Sequence, residues 1–186
     1  MNALVQTQPS RALTPAHGSQ ASLEPAQYLT FMLAGEVFAI GILAIKEIIE
    51  YHSLTEVPMM PACVRGVINL RGAVVPVMDL LARFGRPTCA ITKRTCIVIV
   101  EVQAGDERQV IGVVVDAVNE VLDIAPADIE PPPSFGARIR SDFIQGMGKV
   151  KGKFVILLDV NNVLALEEIA EVGASAAVVE AAAVSH

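Results

Sequence analysis

The sequence predicts an all-β fold made of one or more small barrels, and two observations carry that prediction. Apolar residues fall in many short runs separated by turns rich in Gly and Pro, with no long helical period between them. Part of the chain also repeats: Gly66, Gly72 and Asp79 are spaced six and seven residues apart, and Gly146, Gly152 and Asp159 keep the same spacing.

Taken in chain order, Tyr28 to Leu33 reads as a strand and Val37 to Ile42 as its partner across a turn at Gly35-Glu36. Further strands are expected at Ala73 to Met78, Thr95 to Val102, Val110 to Val115 and Phe154 to Leu158. Leu80 to Phe84 and Val160 to Leu166 can each hold a short helical turn. Without long helices between strands, a parallel sheet with helical crossovers is not expected. Upstream of the shared glycines, Phe38, Ile40 and Ile42 align with Ile111, Val113 and Val115. Ala44 to Ile49 aligns in the same way with Ala117 to Leu122. The chain is therefore expected to hold two related β modules, about 37–84 and 110–164, each with a small core and with a groove at their junction.

Composition narrows the function. Of 186 residues, 53% are apolar and 4% aromatic, with no Trp, so the core must be built from Val, Ile, Leu and Ala. A net charge of −6 argues against a general nucleic-acid binder. Cys63, Cys89 and Cys96 lack metal-site spacing and fit a reducing compartment. Residues 1–26 are rich in Gln, Ser, Thr and Pro, lack a signal-peptide core, and read as a flexible leader. Residues 169–186 are Ala-rich and are expected to be either helical or disordered. No apolar stretch of about 18 residues is present to span a membrane, and a cytoplasmic protein is the simplest reading.

Catalytic readings fare poorly. Of His17, His52 and His186, only His52 lies inside the patterned region, and no nucleophile motif accompanies it. Asp79, Asp116 and Asp159 each end an apolar run and could serve as metal ligands or as acids and bases. The stronger reading makes Asp79 and Asp159 N-caps of the following turns. Gly66, Gly72, Gly146 and Gly152 read as turn formers, since no phosphate-loop Gly-Lys-Ser/Thr follows them. For binding, Arg65 and Arg71 flank Ile68 and Leu70 in what reads as a loop before the strand at 73–78. Arg71 is either a solvated turn residue or an interface arginine able to grip a carboxylate. Ile45, Ile48 and Ile49 read as core, and Met59, Met60 and Met147 as gap fillers.

The run Val64-Arg65-Gly66-Val67-Ile68-Asn69-Leu70-Arg71-Gly72, continued by Ala73-Val74-Val75-Pro76-Val77-Met78-Asp79-Leu80, closely resembles the core motif of the CheW-like chemotaxis coupling proteins. Supporting pieces stand in order: Phe38-Ala39-Ile40 with Ile45-Lys46-Glu47-Ile48, then Ile111 to Val118, then Gly146-Met147-Gly148 with Leu157 to Val160. The resemblance covers residues 27–168. It implies two packed five-stranded SH3-like barrels with partly exchanged chain segments, the first strand joining the second module, and no catalysis or cofactor. It also implies a cytoplasmic adaptor between the tip of a methyl-accepting receptor and the regulatory domain of the chemotaxis histidine kinase. The alternative is a paralogous coupler of a surface-motility, pilus or developmental system. Carried over by position, the receptor-binding candidates are Ile45, Glu47, Asn69, Arg71, Val115 and Val118, with Glu47 expected to pair with Arg71. Many relatives carry Arg where this chain has Leu81, which weakens any charged contact expected there.

Overall fold

Hairpins with two-residue turns set the geometry of both halves. The computed structural model describes residues 24–88, 90–133 and 139–165. The elements are β1 (Ala26–Leu33), β2 (Glu36–Gly41), β3 (Ile45–Glu50), β4 (Val64–Leu70), β5 (Ala73–Asp79) and α1 (Leu80–Arg83). They continue with β6 (Cys96–Ala104), β7 (Glu107–Val115), β8 (Ala117–Ile124), β9 (Ile129–Glu130), β10 (Ile144–Val150), β11 (Lys153–Leu158) and α2 (Val160–Val163). The turns Ala34-Gly35, Arg71-Gly72 and Lys151-Gly152 have positive φ at both residues, the type I′ geometry that matches strand twist. The first turn thus sits one residue earlier than the sequence predicted. Residues 65–70, expected in a loop, form β4. The leader is described only from residue 24 onward, and the Ala-rich tail lies outside the described residues.

Two sheets result, ordered β8-β1-β2-β11-β10-β9 and β3-β6-β7-β5-β4. Each is antiparallel except for one parallel contact, β2 with β11 and β5 with β7. In the five-stranded sheet the segment after β3 returns to β4: Thr55 N–H donates to the Val67 carbonyl at 3.0 Å, and Val67 N–H returns a bond of 2.8 Å. This closes the sheet on itself. In the other sheet β9 does the same against β10, pairing Glu130 with Met147. The fold is the SH3-like double barrel.

Strand alternation sorts the apolar residues into three cores. Ile97, Ile99, Val77, Val75, Ile68 and Val114 fill the first barrel. Tyr28, Ala39, Ile124, Val155 and Leu157 fill the second. The alternate positions (Leu29, Phe31, Phe38, Ile40, Val98, Val100, Ile111, Val113 and Val115 among them) turn outward and form one larger cluster between the barrels. The rings of Phe31, Phe38, Phe84 and Phe143 succeed one another through this layer at 5.9–6.3 Å. Each large side chain buried there contributes about 1.5–3 kcal/mol.

The sequence repeat is a structural repeat, but its boundaries are not those of the sheets. β2 lies in the first repeat unit, 37–84, and pairs with β11 of the second; β7 lies in the second unit, 110–164, and pairs with β5 of the first. The units have exchanged a strand, and β1 joins the second sheet through β8 and β2.

Gly66 and Gly146 occupy equivalent places beside a register shift in each β4–β5 and β10–β11 pair. A Cβ on Gly66 would lie 2.6 Å from the Thr55 carbonyl oxygen, and one on Gly146 would lie 2.6 Å from Ile129 Cγ2. Here glycine is required because the returning segment passes so close. Gly72, by contrast, has open space around it and a φ of +87°. Gly66→Ala should therefore lower the unfolding free energy by about 2–3 kcal/mol. Gly72→Ala should lower it by only about 1 kcal/mol, and chemical denaturation of the two variants checks the order.

Candidate functional site

The β4–β5 turn projects a charged side chain from a rigid corner. Arg71 holds φ +53° at its first position. Asn69 Oδ1 accepts from Gly72 N–H at 2.9 Å, which fixes the turn from below. Asn69 therefore spends its side-chain oxygen on the turn. Across the barrel seam, Arg71 Nη2 donates to Glu47 Oε2 at 2.7 Å. β3 and β4 are the two edges of their sheet, so this pair spans the edges that closure brings together. The Arg71 side chain is 77% exposed and that of Glu47 24% exposed. The pair is solvent-facing, and most of the guanidinium remains open to another molecule.

A one-residue bulge shapes the neighbouring strand. Ile45 opposes Val100 and Glu47 opposes Ile99, which leaves Lys46 as the extra residue. Lys46 Nζ then reaches Glu101 Oε2 at 2.8 Å, and Arg108 Nη1 approaches the same carboxylate at 3.3 Å. The Lys46 hydrogen bond, aided by the charge of Arg108, holds the Glu101 carboxyl below its ordinary value of 4.5. Ile45 and Val118, equivalent in the repeat, are both half-buried against the central cluster. Val115 is a correction to the sequence reading. It is completely buried in that cluster because β7 lies between β6 and β5, and it presents no surface to a partner.

The sequence reading missed several exposed apolar residues. Ile48 and Val121, at equivalent positions of β3 and β8, are 43% and 46% exposed, so Ile48 is not core. Val74 and Phe154, also equivalent, flank the turns at Gly72 and Gly152 and stand exposed. Met59 and Met60 are exposed too, which corrects their reading as gap fillers; Met147 does pack against the core. Strand alternation beside the repeat glycines was the available signal for Val74 and Phe154.

The acidic residues have structural partners. Asp79 Oδ1 accepts from Leu81 N–H at 2.9 Å and Ala82 N–H at 3.2 Å, capping α1, while Oδ2 takes Arg65 Nη1 at 3.0 Å. Arg65 is the bulge residue of β4, and the bulge aims it at Asp79. It is thus a clamp, where the sequence had suggested a binding residue. Asp159 caps α2 through Asn162 N–H at 3.2 Å. Asp116 Oδ2 accepts from Ala34 N–H at 2.8 Å and so ties down the β1–β2 turn. Among the described residues no three His, Cys, Asp or Glu side chains are grouped to hold a metal. Burial raises the Cys63 thiol above its usual pKa.

A pair of pseudo-equivalent barrels, carrying an open arginine on a rigid turn and outward apolar side chains, defines a protein-binding module. The description "CheW-like domain" matches residues 27–168, and the chain belongs to that family. It is 32% identical over 144 residues to the chemotaxis protein CheW of Klebsiella aerogenes, covering 77% of this chain and 84% of that one. It is 33% identical over 142 residues to the chemotaxis protein CheW of Rhizobium meliloti, covering 76% and 89%. A shorter match, 32% over 108 residues, relates 58% of this chain to 64% of protein FrzA of Myxococcus xanthus. Among solved structures, the scaffolding protein TtCheW of Thermoanaerobacter tengcongensis superposes with a TM-score of 0.68 at 35% identity, covering 79% of this chain and 92% of that one.

Two outcomes test this geometry. Asp79→Ala removes a cap and strands a partly buried Arg65, so it should cost about 3 kcal/mol of stability, read by denaturant unfolding. Because the Glu101 pKa is depressed in the folded state, its contribution is present above its ordinary pKa of 4.5 and fades as pH falls through the folded value. Lys46→Gln should move the Glu101 titration upward, as followed by carboxyl NMR.

Proposed function

We propose that this chain is a non-catalytic adaptor that couples the cytoplasmic tip of a methyl-accepting chemoreceptor to the regulatory domain of the chemotaxis histidine kinase. The observation that carries the reading is Arg71, held on a type I′ turn by Glu47 with most of its guanidinium open, in a chain of the CheW-like family. A receptor helix hairpin would lie against the β3 face. Ile45 and Val118 would supply apolar edges, and Arg71 would supply a charge that sets register. The carboxylates that could have served chemistry are instead engaged in caps and a turn, which supports a structural role for them.

The mechanism is geometric. The adaptor holds the kinase regulatory domain beside the receptor, and a conformational change in the receptor alters kinase autophosphorylation. Such a protein works in the cytoplasm at membrane-associated receptor arrays; among the described residues no helix is long and apolar enough to cross a membrane. The longer matches to CheW proteins favour the chemotaxis reading over the shorter match to FrzA.

The exposed Glu47–Arg71 pair should contribute little to folding. Arg71→Ala is expected to shift stability by less than about 1 kcal/mol. In membranes holding the receptor and kinase, the same change should cut adaptor-dependent control of autophosphorylation about tenfold or more. Wild-type control by a folded Arg71→Ala variant would overturn the assignment of Arg71 to the receptor contact.

A further inference from the structure

The β10–β11 hairpin concentrates positive charge on a protein whose net charge is −6. Lys149, Lys151 and Lys153 are all exposed. Among the described residues no carboxylate pairs with any of them. The equivalent β4–β5 hairpin has Asn69, Arg71 and Ala73 at these places. Its one cation is held by Glu47 at 2.7 Å, and Asn69 is bonded to the turn. The second hairpin keeps the same rigid turn, with Lys151 at φ +50° and Gly152 at φ +76°, and loads it with three cations that no described carboxylate holds.

An apolar strip adjoins the charge. Met147 pairs with Ile156 across the strands, and Lys149 pairs with Phe154. Cross-strand partners share a face of the sheet, and Val155 and Leu157 point the other way, into the second barrel. Met147 and Ile156 pack partly buried against the central cluster. Phe154, two residues nearer the turn, is 52% exposed. Lys149 stands across from it, Lys151 lies beyond both at the turn, and Lys153 follows opposite Val150. A half-open aromatic ring therefore lies within a frame of ammonium groups.

Such a surface selects a partner by its chemistry. Lysine ammonium groups are compact point charges that attract carboxylates. An apolar side chain laid on Phe154 would exclude water between them. A bilayer is entered by apolar groups, whereas this tip is Lys151-Gly152 and Phe154 lies on a sheet face. Single-stranded nucleic acid needs a longer basic track and more stacking rings than three lysines and one Phe on an acidic protein supply.

We propose that the hairpin tip at 149–154 is a docking surface for an acidic protein segment, which sets an apolar side chain on Phe154 and flanking carboxylates on Lys149 and Lys151. Lys153 adds long-range attraction. This is a second site, distinct from the Arg71 turn, and it does not depend on the receptor contact assigned there.

The test titrates the full isotope-labelled chain with a synthetic helical peptide that carries Leu along one face, flanked by Glu, and follows backbone amides by NMR. Amides of residues 147–156 should shift and saturate, with affinity falling as salt is raised. Lys149→Gln combined with Lys151→Gln should weaken binding about tenfold, and Phe154→Ser about fivefold, with thermal unfolding confirming that both variants are folded. Arg71→Ala should leave peptide binding unchanged. Absence of a saturable shift in the hairpin overturns the proposal. So does binding that survives Phe154→Ser unchanged, which reduces the effect to unspecific charge attraction. Tighter binding to vesicles of phosphatidylserine and phosphatidylcholine in equal parts, or to oligothymidylate, than to the peptide also overturns it and assigns the surface to a membrane or to nucleic acid.

Discussion

The apolar layer between the barrels is the constraint on which the remaining structure depends. Every strand that borders it must turn alternate residues two ways, toward its own barrel and toward the shared layer. This is why β6 and β7 read as nearly continuous Ile and Val runs: both of their faces are buried. The short helices close the layer at its ends. Arg83 of α1 donates from Nε to the carbonyl of Val163 in α2 at 3.0 Å, and its guanidinium lies 4.6 Å from the centre of the Phe143 ring. The two halves are thereby held in one relative orientation, which an adaptor presenting two surfaces at once requires.

Surface features follow from the same framework. Bulges at Lys46 and Arg65 break the strict alternation of β3 and β4 and re-aim charged side chains, one to Glu101 at the surface and the other to the buried cap Asp79. The second half keeps the bulge at Gln145 but has no arginine there, and Asp159 is supported instead by Asn162 Nδ2 at 3.2 Å. Equivalent backbones thus carry different surface chemistry, and Arg71 has Lys151 as its counterpart.

Much of the architecture was legible in the chain. Strands buried on both faces, such as Cys96–Ala104, announce themselves by composition; Gly72 and Gly152 lie in turns and Asp79 and Asp159 cap the short helices, whereas Gly66 and Gly146, read as turn formers, lie within β4 and β10. β3, β8 and β10 were not assigned because their alternation is broken: Ile48 and Val121 face outward, Lys46 and Gln145 are bulge residues, and Gly146 and Gly148 take buried places. The Glu47–Arg71 pair was anticipated from the family resemblance and is present, but its exposure was not legible, since it depends on where the barrel seam falls. Val115 was carried over by position from the family resemblance; it ends a central strand and is completely buried, which position in the chain does not disclose.

Strand exchange also sets an order on synthesis. The five-stranded sheet uses residues 45–115 and has all its strands once β7 has left the ribosome. The β1–β2 hairpin is made first, yet its partners β8 and β11 come last, with Thr30 and Glu120, 90 residues apart, hydrogen-bonded to one another. Until then Phe31, Phe38 and Ile40 have no complete layer to enter. The nascent chain therefore carries an unpartnered apolar hairpin until β8 and β11 are made, and the first two strands of the domain are among the last to reach their final place.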